Sequence, residues 1–426
     1  MEQHKKAALL SIPVIVAALG YFVDIYDLLL FSIIRVKSLK SLGLTDALID
    51  TEGKFIISIQ MYGLLLGGIL WGMMGDKKGR LSVLFGSIVL YSLANIANGF
   101  VTTVNQYALA RFIAGIGLAG ELGAGITLVS ELVPKETRGK ATSIVAGVGL
   151  TGAVAAYFVA HSFDWMAEGG NSWAQGIVSS HHDWRICYFI GGVLGLLLLL
   201  LRVSVFESGM YKNIQHTKVQ KGNFLMFFNN GKRFKRYLLA ILVGLPTWYV
   251  IGVLITFSKE FAEHFGIKEP VDPGKSIMLA YVAISIGDLL IGFLSHWLGS
   301  RKKALYLFYS LTVISITLYF FQENGTATGM YAICMLMGFA TGFWALFVTM
   351  AAEHFGTNLR ATAATTVPNM VRGSLPLIIM LFNGLQPSLS YINAAAVTGV
   401  VVMAISITAV LMTEETFGKD LNFMEE

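Results

Sequence analysis

The sequence predicts an all-α membrane protein, with twelve transmembrane helices in two pseudo-symmetric six-helix bundles. Three observations lead there. The 426-residue chain is 55% hydrophobic and only 13% charged, where a soluble domain carries roughly 25% charged residues. Its apolar runs are long enough to cross a bilayer, which takes about 20 helical residues. Two polar landmarks also recur half a chain apart.

The apolar runs fall at about 7–34, 53–75, 81–101, 107–133, 141–161, 185–205, 237–258, 276–298, 303–322, 329–353, 358–385 and 388–412. The first follows a short polar start, Met1–Lys6, and is too long for the core of a signal peptide, so it reads as an uncleaved span. The longest polar stretch between spans separates the sixth from the seventh. It divides the chain into an N-terminal bundle over 1–205, a cytoplasmic linker over 206–236 and a C-terminal bundle over 237–426. With the N-terminus inside, the cytoplasmic segments hold twenty Lys and Arg and the outer loops seven. That bias places both termini in the cytoplasm. The same distribution accounts for the net charge of +5 without a nucleic-acid partner. Cys187 and Cys334 lie in separate apolar spans, so neither a disulfide nor a metal site is expected, and no cofactor is called for.

The landmarks are a loop and an ion pair. Gly72-Met-Met-Gly-Asp76-Lys-Lys-Gly79-Arg80 joins spans two and three, and Gly292-Phe-Leu-Ser-His296-Trp-Leu-Gly299 joins spans eight and nine, 220 residues on. Glu131 and Arg138 follow span four, and Glu353 and Arg360 follow span ten at the same internal spacing, 222 residues on. Two spacings agreeing at nearly one offset point to a duplicated six-helix unit, as in transporters built from repeats. The two acid–base pairs flank cytoplasmic helix ends and read as gating or structural ion pairs.

Within span one, Asp24 and Asp27 lie in the run Tyr21-Phe-Val-Asp-Ile-Tyr-Asp-Leu-Leu-Leu30. A charge at the middle of a bilayer costs at least about 2.5 kcal/mol, and residues three apart share a helix face. Both aspartates are therefore expected to point into a polar interior. Glu121 and Asp288 are further acids within spans, and Arg111 and Arg372 are bases. Arginine stays charged and cannot carry the proton. The expected proton-coupling set is thus Asp24, Asp27, Glu121 and Asp288, with Arg111 as counter-charge. The alternative is a static ion-pair network that holds helices together. Candidate substrate contacts are Tyr26, Gln60, Tyr62, Trp248, Tyr249, Trp344, Asn369 and Arg372, with Phe343 beside them. Pro246, Pro368 and Pro376 interrupt spans seven and eleven, and bent helices make transporter sites. Aromatics give a ligand flat amphipathic walls, and Arg372 suits a carboxylate; the bland reading of each aromatic is a lipid-facing anchor.

The chain resembles the major facilitator superfamily over nearly its whole length. Gly72 to Arg80 resembles that superfamily's loop signature G-x-x-x-D-(R/K)-x-G-R, which implies a gating role for Gly72, Asp76, Gly79 and Arg80 and no substrate contact. Asp24-Ile-Tyr26-Asp27 is similar to the E-W-Y-D stretch of the metabolite:proton symporter branch, with Asp for Glu and Ile for Trp. Arg111-Phe-x-x-Gly115-x-Gly117-x-x-Gly120-Glu121, then Glu131-x-x-Pro134 and Arg138-Gly139, resembles that branch's fourth helix. The branch implies inward transport of osmolytes, amino acids or carboxylic acids with protons. The same glycines also fit the dinucleotide pattern G-x-G-x-x-G. That pattern needs a preceding strand, whereas here they lie inside an apolar span and read as a packing surface. His181-His182-Asp183 has no spaced second ligand and reads as a solvated loop.

The expectation is therefore a proton-coupled secondary active importer of a small polar metabolite, an amino acid, osmolyte or organic acid. It would work by alternating access as a monomer in the inner membrane. A proton-driven drug or metabolite exporter and an uncoupled facilitator share the fold. Exporters often carry G-P-x-x-G-G in span five, where this chain has Gly147-Val148-Gly149-Leu150-Thr151-Gly152. A membrane-embedded enzyme is disfavoured by the absence of H-E-x-x-H and C-x-x-C, and a sensor by the absence of a sizeable soluble module.

Overall fold

Backbone polar groups inside a bilayer have no water to bind, so a spanning segment has to satisfy them itself. The chain does so with helices. The computed structural model describes residues 11–78, 80–121, 123, 125, 144–207, 224–419 and 424–425, and no strand occurs among them. The first half contributes α1 (Ile12–Ser41), α2 (Asp46–Lys78), α3 (Arg80–Asn98), α4 (Val104–Leu118), α5 (Gly152–Glu168, preceded by helical residues 144–150), the short α6 (Ser172–Ser179) and α7 (Asp183–Glu207). The second half contributes α8 (Gly231–Tyr249), the short α9 (Ser258–His264), α10 (Pro273–Trp297), α11 (Arg301–Phe320), α12 (Ala327–Ala340), α13 (Trp344–Glu353), α14 (Thr357–Gly373), α15 (Leu375–Leu385) and α16 (Tyr391–Met412). Helix starts carry side-chain caps where the chain leaves a loop: Thr103, Asn171, Asn230, Asp272, Ser300, Thr326 and Ser390 each accept a backbone N–H from the first turn. The helices overrun the apolar runs by up to about two turns, so that Arg35, Lys37 and Lys40 are helical residues of α1.

Three spans are interrupted. Pro246 lies inside α8, which then widens into a π-helical stretch, Val250–Ile255; such bulges are frequent at functional sites. The tenth span breaks at Thr341-Gly342-Phe343 between α12 and α13, and the eleventh at Ser374 between α14 and α15, with Pro376 in the first turn of α15. The predicted gating positions fall largely elsewhere. Gly79, Glu131 and Arg138, and the side chains of Asp76 and Arg80, lie outside the described residues.

Within the first half, α2 and α4 approach through glycine. A Cβ on Gly115 would strike the main-chain oxygen of Gln60, and one on Gly63 that of Phe112. Gly117 and Gly120 likewise face α3 residues Tyr91 and Ser87. These glycines are a packing surface, as the sequence suggested, and carry no phosphate loop.

The halves meet along two seams. On one, Gly68 and Gly72 of α2 receive Asn369 and Thr366 of α14, and Leu65 packs against Gly373. Asn369 Nδ2 donates to the Ala119 carbonyl at the end of α4, 2.9 Å, and to the Thr365 carbonyl, 3.0 Å. On the other seam α5 lies along α10. The loop end carrying Arg35 is closed by charge. Arg35 is paired with Glu260 of α9 at 2.7 Å and lies 4.5 Å over the Phe257 ring. Lys54 of α2 pairs with Asp50 and sits among the rings of Phe257, Phe382 and Tyr391 at 4.7–5.4 Å. At the opposite end Glu353 accepts from Arg301, 3.1 Å, and from Thr416, 2.6 Å.

Candidate functional site

Charged side chains gather at mid-span in two centres. The first lies inside the N-terminal bundle. Arg111 of α4 is fully buried, and its donors are taken by neutral acceptors: Nε by Gln60 Oε1 at 3.2 Å, Nη1 by Asn95 Oδ1 at 3.1 Å and Nη2 by the main-chain oxygen of Asp27 at 2.8 Å. The Tyr188 ring lies 5.5 Å from the guanidinium. Gln60 is held in turn by donating to the Leu28 carbonyl, 3.0 Å. The Asp27 carboxylate is fully buried beside the Asn95 amide, and the charge of Arg111 acts on it. Gly191 of α7 leaves it room, since a Cβ there would overlap Oδ1.

The second centre straddles the halves. Arg372, near the end of α14 and just before the break at Ser374, is 1% exposed; its Nε and Nη1 have no partner among the described residues. The guanidinium lies between two indoles, 6.0 Å from the Trp248 ring and 5.7 Å from the Trp344 ring. Both indole N–H groups are also buried without a partner among the described residues. Across from it on α1 stands Asp24, fully buried, with neither oxygen bonded among the described residues. The charge of Arg372 acts on Asp24, and also on Tyr21 and Tyr281. Buried polar groups in folded proteins are nearly always bonded. Among the described residues, three such unbonded groups, the Arg372 guanidinium and the two indoles, gather at this one place.

The other predicted residues divide by what they touch. Asp288 of α10 caps the broken tenth span: Oδ1 accepts from the Ala345 N–H at 2.8 Å, at the start of α13, and so sets the turn that carries Trp344. Glu121 is bound through both oxygens by Arg202 of α7, in a pair with side chains no more than 2% exposed; Gly20 of α1 packs onto it. Tyr26 donates to the Cys187 carbonyl, 3.0 Å, and Tyr249 to the Ala395 carbonyl, 2.7 Å, so both are turned into their own bundles. Phe343 is buried against Tyr309. Tyr62 is 42% exposed and shares a helical face with the exposed Phe55, Leu66, Leu70 and Met73. Sequence reading passed over Arg202, which sits where its span ends and resembles an interfacial charge, and Asn95, an uncharged residue in an apolar run. No cluster of metal-ligating side chains occurs among the described residues.

Two helical halves, broken helices and an enclosed charged centre between them are the build of a membrane transporter rather than an enzyme. The chain belongs to the Major Facilitator Superfamily, whose sequence profile matches residues 17–375. It is 26% identical to the niacin transporter NiaP of Acinetobacter baylyi, over 95% of this chain and 94% of that relative. It is 23% identical to a probable 4-methylmuconolactone transporter of Cupriavidus pinatubonensis, over 94% and 89%. The fold is similar to that of the xylose transporter XylE from E. coli in its inward-open conformation, with a TM-score of 0.69 at 17% identity over 96% of this chain and 97% of that one. The protein is thus a multi-pass membrane transporter of small metabolites with the twelve-helix, two-domain arrangement.

Proposed function

We propose that the chain is a proton-coupled importer of a small, flat organic carboxylate. It would work as a monomer in the inner membrane with both termini cytoplasmic. The observation that carries the substrate class is Arg372, a buried guanidinium with unbonded donors set between two indoles. A guanidinium binds a carboxylate through paired, charge-assisted hydrogen bonds, and aromatic faces suit a planar unsaturated body. The relatives named for niacin and for 4-methylmuconolactone support the substrate class, since both names denote a carboxylate beside an unsaturated ring. This favours an organic acid over an amino acid or an osmolyte.

Coupling follows from charge counting. With Asp24 ionised and Arg372 charged, the enclosed centre is neutral. A substrate carboxylate adds one negative charge in a low-dielectric space, and one proton on Asp24 restores neutrality. Anion binding and protonation therefore favour each other, and by linkage the preference is mutual. Asp27, beside Arg111, is the second carboxylate able to take a proton. Glu121 in its ion pair and Asp288 in its cap serve as structural supports in this reading. The halves then rock about the centre, opening either the Arg35–Glu260 end, taken as the outer one, or the Arg301–Glu353 end. One proton with one monoanion moves no net charge. A pH difference of one unit, about 1.4 kcal/mol, then sustains about tenfold accumulation. The test is uptake of nicotinate into proteoliposomes with and without an imposed pH gradient. Wild type should concentrate it only with the gradient. Asp24→Asn should keep counterflow exchange and lose accumulation. Accumulation that ignores the gradient ends the symport reading.

A further inference from the structure

A separate contact between the halves lies at the Arg35 end, away from the mid-span centres. His161 stands near the end of α5, and Asp272 caps the start of α10. The imidazole Nδ1 is 2.9 Å from the main-chain oxygen of Tyr157, and Nε2 is 3.2 Å from Asp272 Oδ2. Both oxygens can only accept a hydrogen bond. Neutral imidazole has a single N–H, so either tautomer would aim a lone pair at an oxygen, whereas imidazolium donates to both. The neighbouring geometry holds the acceptor in place. Asp272 Oδ1 accepts from the Gly274 N–H at 2.9 Å and Oδ2 from the Lys275 N–H at 3.1 Å. Gly274 leaves space for the ring, since a Cβ there would lie 3.3 Å from His161 Cε1.

The charges around the ring are already matched. From α1 come Lys37, bound to Asp164 and Asp183, and Lys40, bound to Asp46 at 3.0 Å. From α5 itself come Asp164 and the rings of Tyr157 and Trp165, at 4.2 and 5.9 Å. From α9 comes Lys259, between Asp46 at 3.5 Å and Glu263 at 3.7 Å. From α10 come Asp272 and the main chain of Lys275. Each lysine side chain of α1 and α9 has its own carboxylate, which leaves Asp272 to the histidine. The contact borders a crevice of about 390 Å³ lined by Lys37, Lys40, Asp164 and Lys259 among others. The two side chains are 24% and 36% exposed, so protons reach them from water.

We propose that His161 is a proton-binding site distinct from the mid-span carboxylates, and that a proton bound there fastens α5 to α10 and holds this end of the transporter closed. The first half supplies the proton carrier and the second half the fixed anion, so the bond exists only when the halves meet. Acid on this side then favours closure, whatever the coupling ion of the transport cycle.

The experiment reads distance directly. Cysteines replacing the exposed Glu168 and Lys268 carry spin labels on the full chain in nanodiscs, with buried Cys187 and Cys334 left in place. The distance distribution is followed from about pH 8 to about pH 5.5, which brackets the ordinary histidine value. In wild type the ratio of closed to open should rise about tenfold on acidification, the change that one unit of difference in proton affinity between the states produces. His161→Gln should remove the response. His161→Lys, charged across the whole range, should stay closed throughout. If His161→Gln keeps the wild-type response, or His161→Lys follows wild type with pH, the site is not the latch. Thermal melting of each variant separates a lost latch from a lost fold.

Discussion

Arg111 and Arg372 are the same residue type at similar depth, one in each half, and the molecule treats them in opposite ways. Arg111 spends its donors on Gln60, Asn95 and the Asp27 main chain. Arg372 keeps Nε and Nη1 unbonded among the described residues while lying between two indoles. Arg202 joins Arg111 on the satisfied side, closed onto Glu121. A buried cation whose donors are filled by the protein holds helices together. One with donors that the protein leaves unfilled is free to bond a ligand. Stability should therefore follow the first group and substrate affinity the second.

The largest expected effect breaks the satisfied side. Arg202→Gln leaves the Glu121 carboxylate buried without a cation, and removing one partner of a buried pair costs about 3–5 kcal/mol. The purified variant should melt well below wild type in detergent. Arg372→Gln should melt close to wild type, because the protein loses few bonds there. Equal destabilisation of both would show that Arg372 is a structural cation too.

Next in size is affinity. If Arg372 receives the carboxylate, Arg372→Gln should weaken nicotinate binding by about 3 kcal/mol, or about 100-fold in Kd. Isothermal titration gives the number directly. Arg111→Gln should change Kd far less, since its guanidinium donates to Gln60, Asn95 and a backbone carbonyl and not to a ligand. A loss of affinity at Arg111 as large as at Arg372 would move the binding site into the N-terminal bundle.

These two arginines could not be told apart by sequence, and the reason is general. Periodicity and hydropathy show that a side chain is buried, because burial follows from position on a helix face. They do not show what fills its hydrogen bonds. The spans, the burial of Asp24 and Asp27 and the packing role of Gly115, Gly117 and Gly120 were all legible in that way. Gln60 and Tyr62 show the limit: two residues apart on one helix, one is buried beside Arg111 and the other is exposed. Asp288 shows another, since its part as a cap depends on a break in a helix 57 residues further on. Arg202 depends on Glu121, 81 residues away.

A smaller effect is expected at the walls of the open cation. Trp344 is placed by the turn that Asp288 caps, and its ring faces Arg372 at 5.7 Å. Trp344→Phe keeps an aromatic face but loses the indole N–H and part of the attraction, about 0.5–1 kcal/mol. Nicotinate Kd should rise by about twofold to fivefold, with counterflow exchange still measurable. No change on replacing either Trp344 or Trp248 would remove the aromatic walls from the site and leave Arg372 to act alone.

The smallest effect tests the satisfied extreme, outside the membrane-spanning segments. Glu415 accepts from the Ser300 hydroxyl and from the backbone N–H groups of Arg301, Lys302, Thr416 and Phe417. Burial alone would raise its pKa, but these bonds outweigh that and lower it from 4.5 to about 2. A carboxylate with a lowered folded-state value stabilises fully above its unfolded value. That contribution fades only as pH falls towards about 2. Glu415→Gln should thus lower the melting temperature slightly, and by the same amount at every pH from about 5.5 to about 8. Burial, then the charges of Lys419 and Arg236, push the value of nearby His354 down to about 4, so the folded protein keeps it neutral while the unfolded chain protonates it below about 6.5. Both proteins therefore lose stability together as pH falls from about 7, and the difference between them stays flat. A Glu415→Gln effect that vanishes below about pH 6 would mean the carboxylate is not held as tightly as its five donors imply. The contrast between filled and unfilled charges would then fail where the structure draws it most sharply.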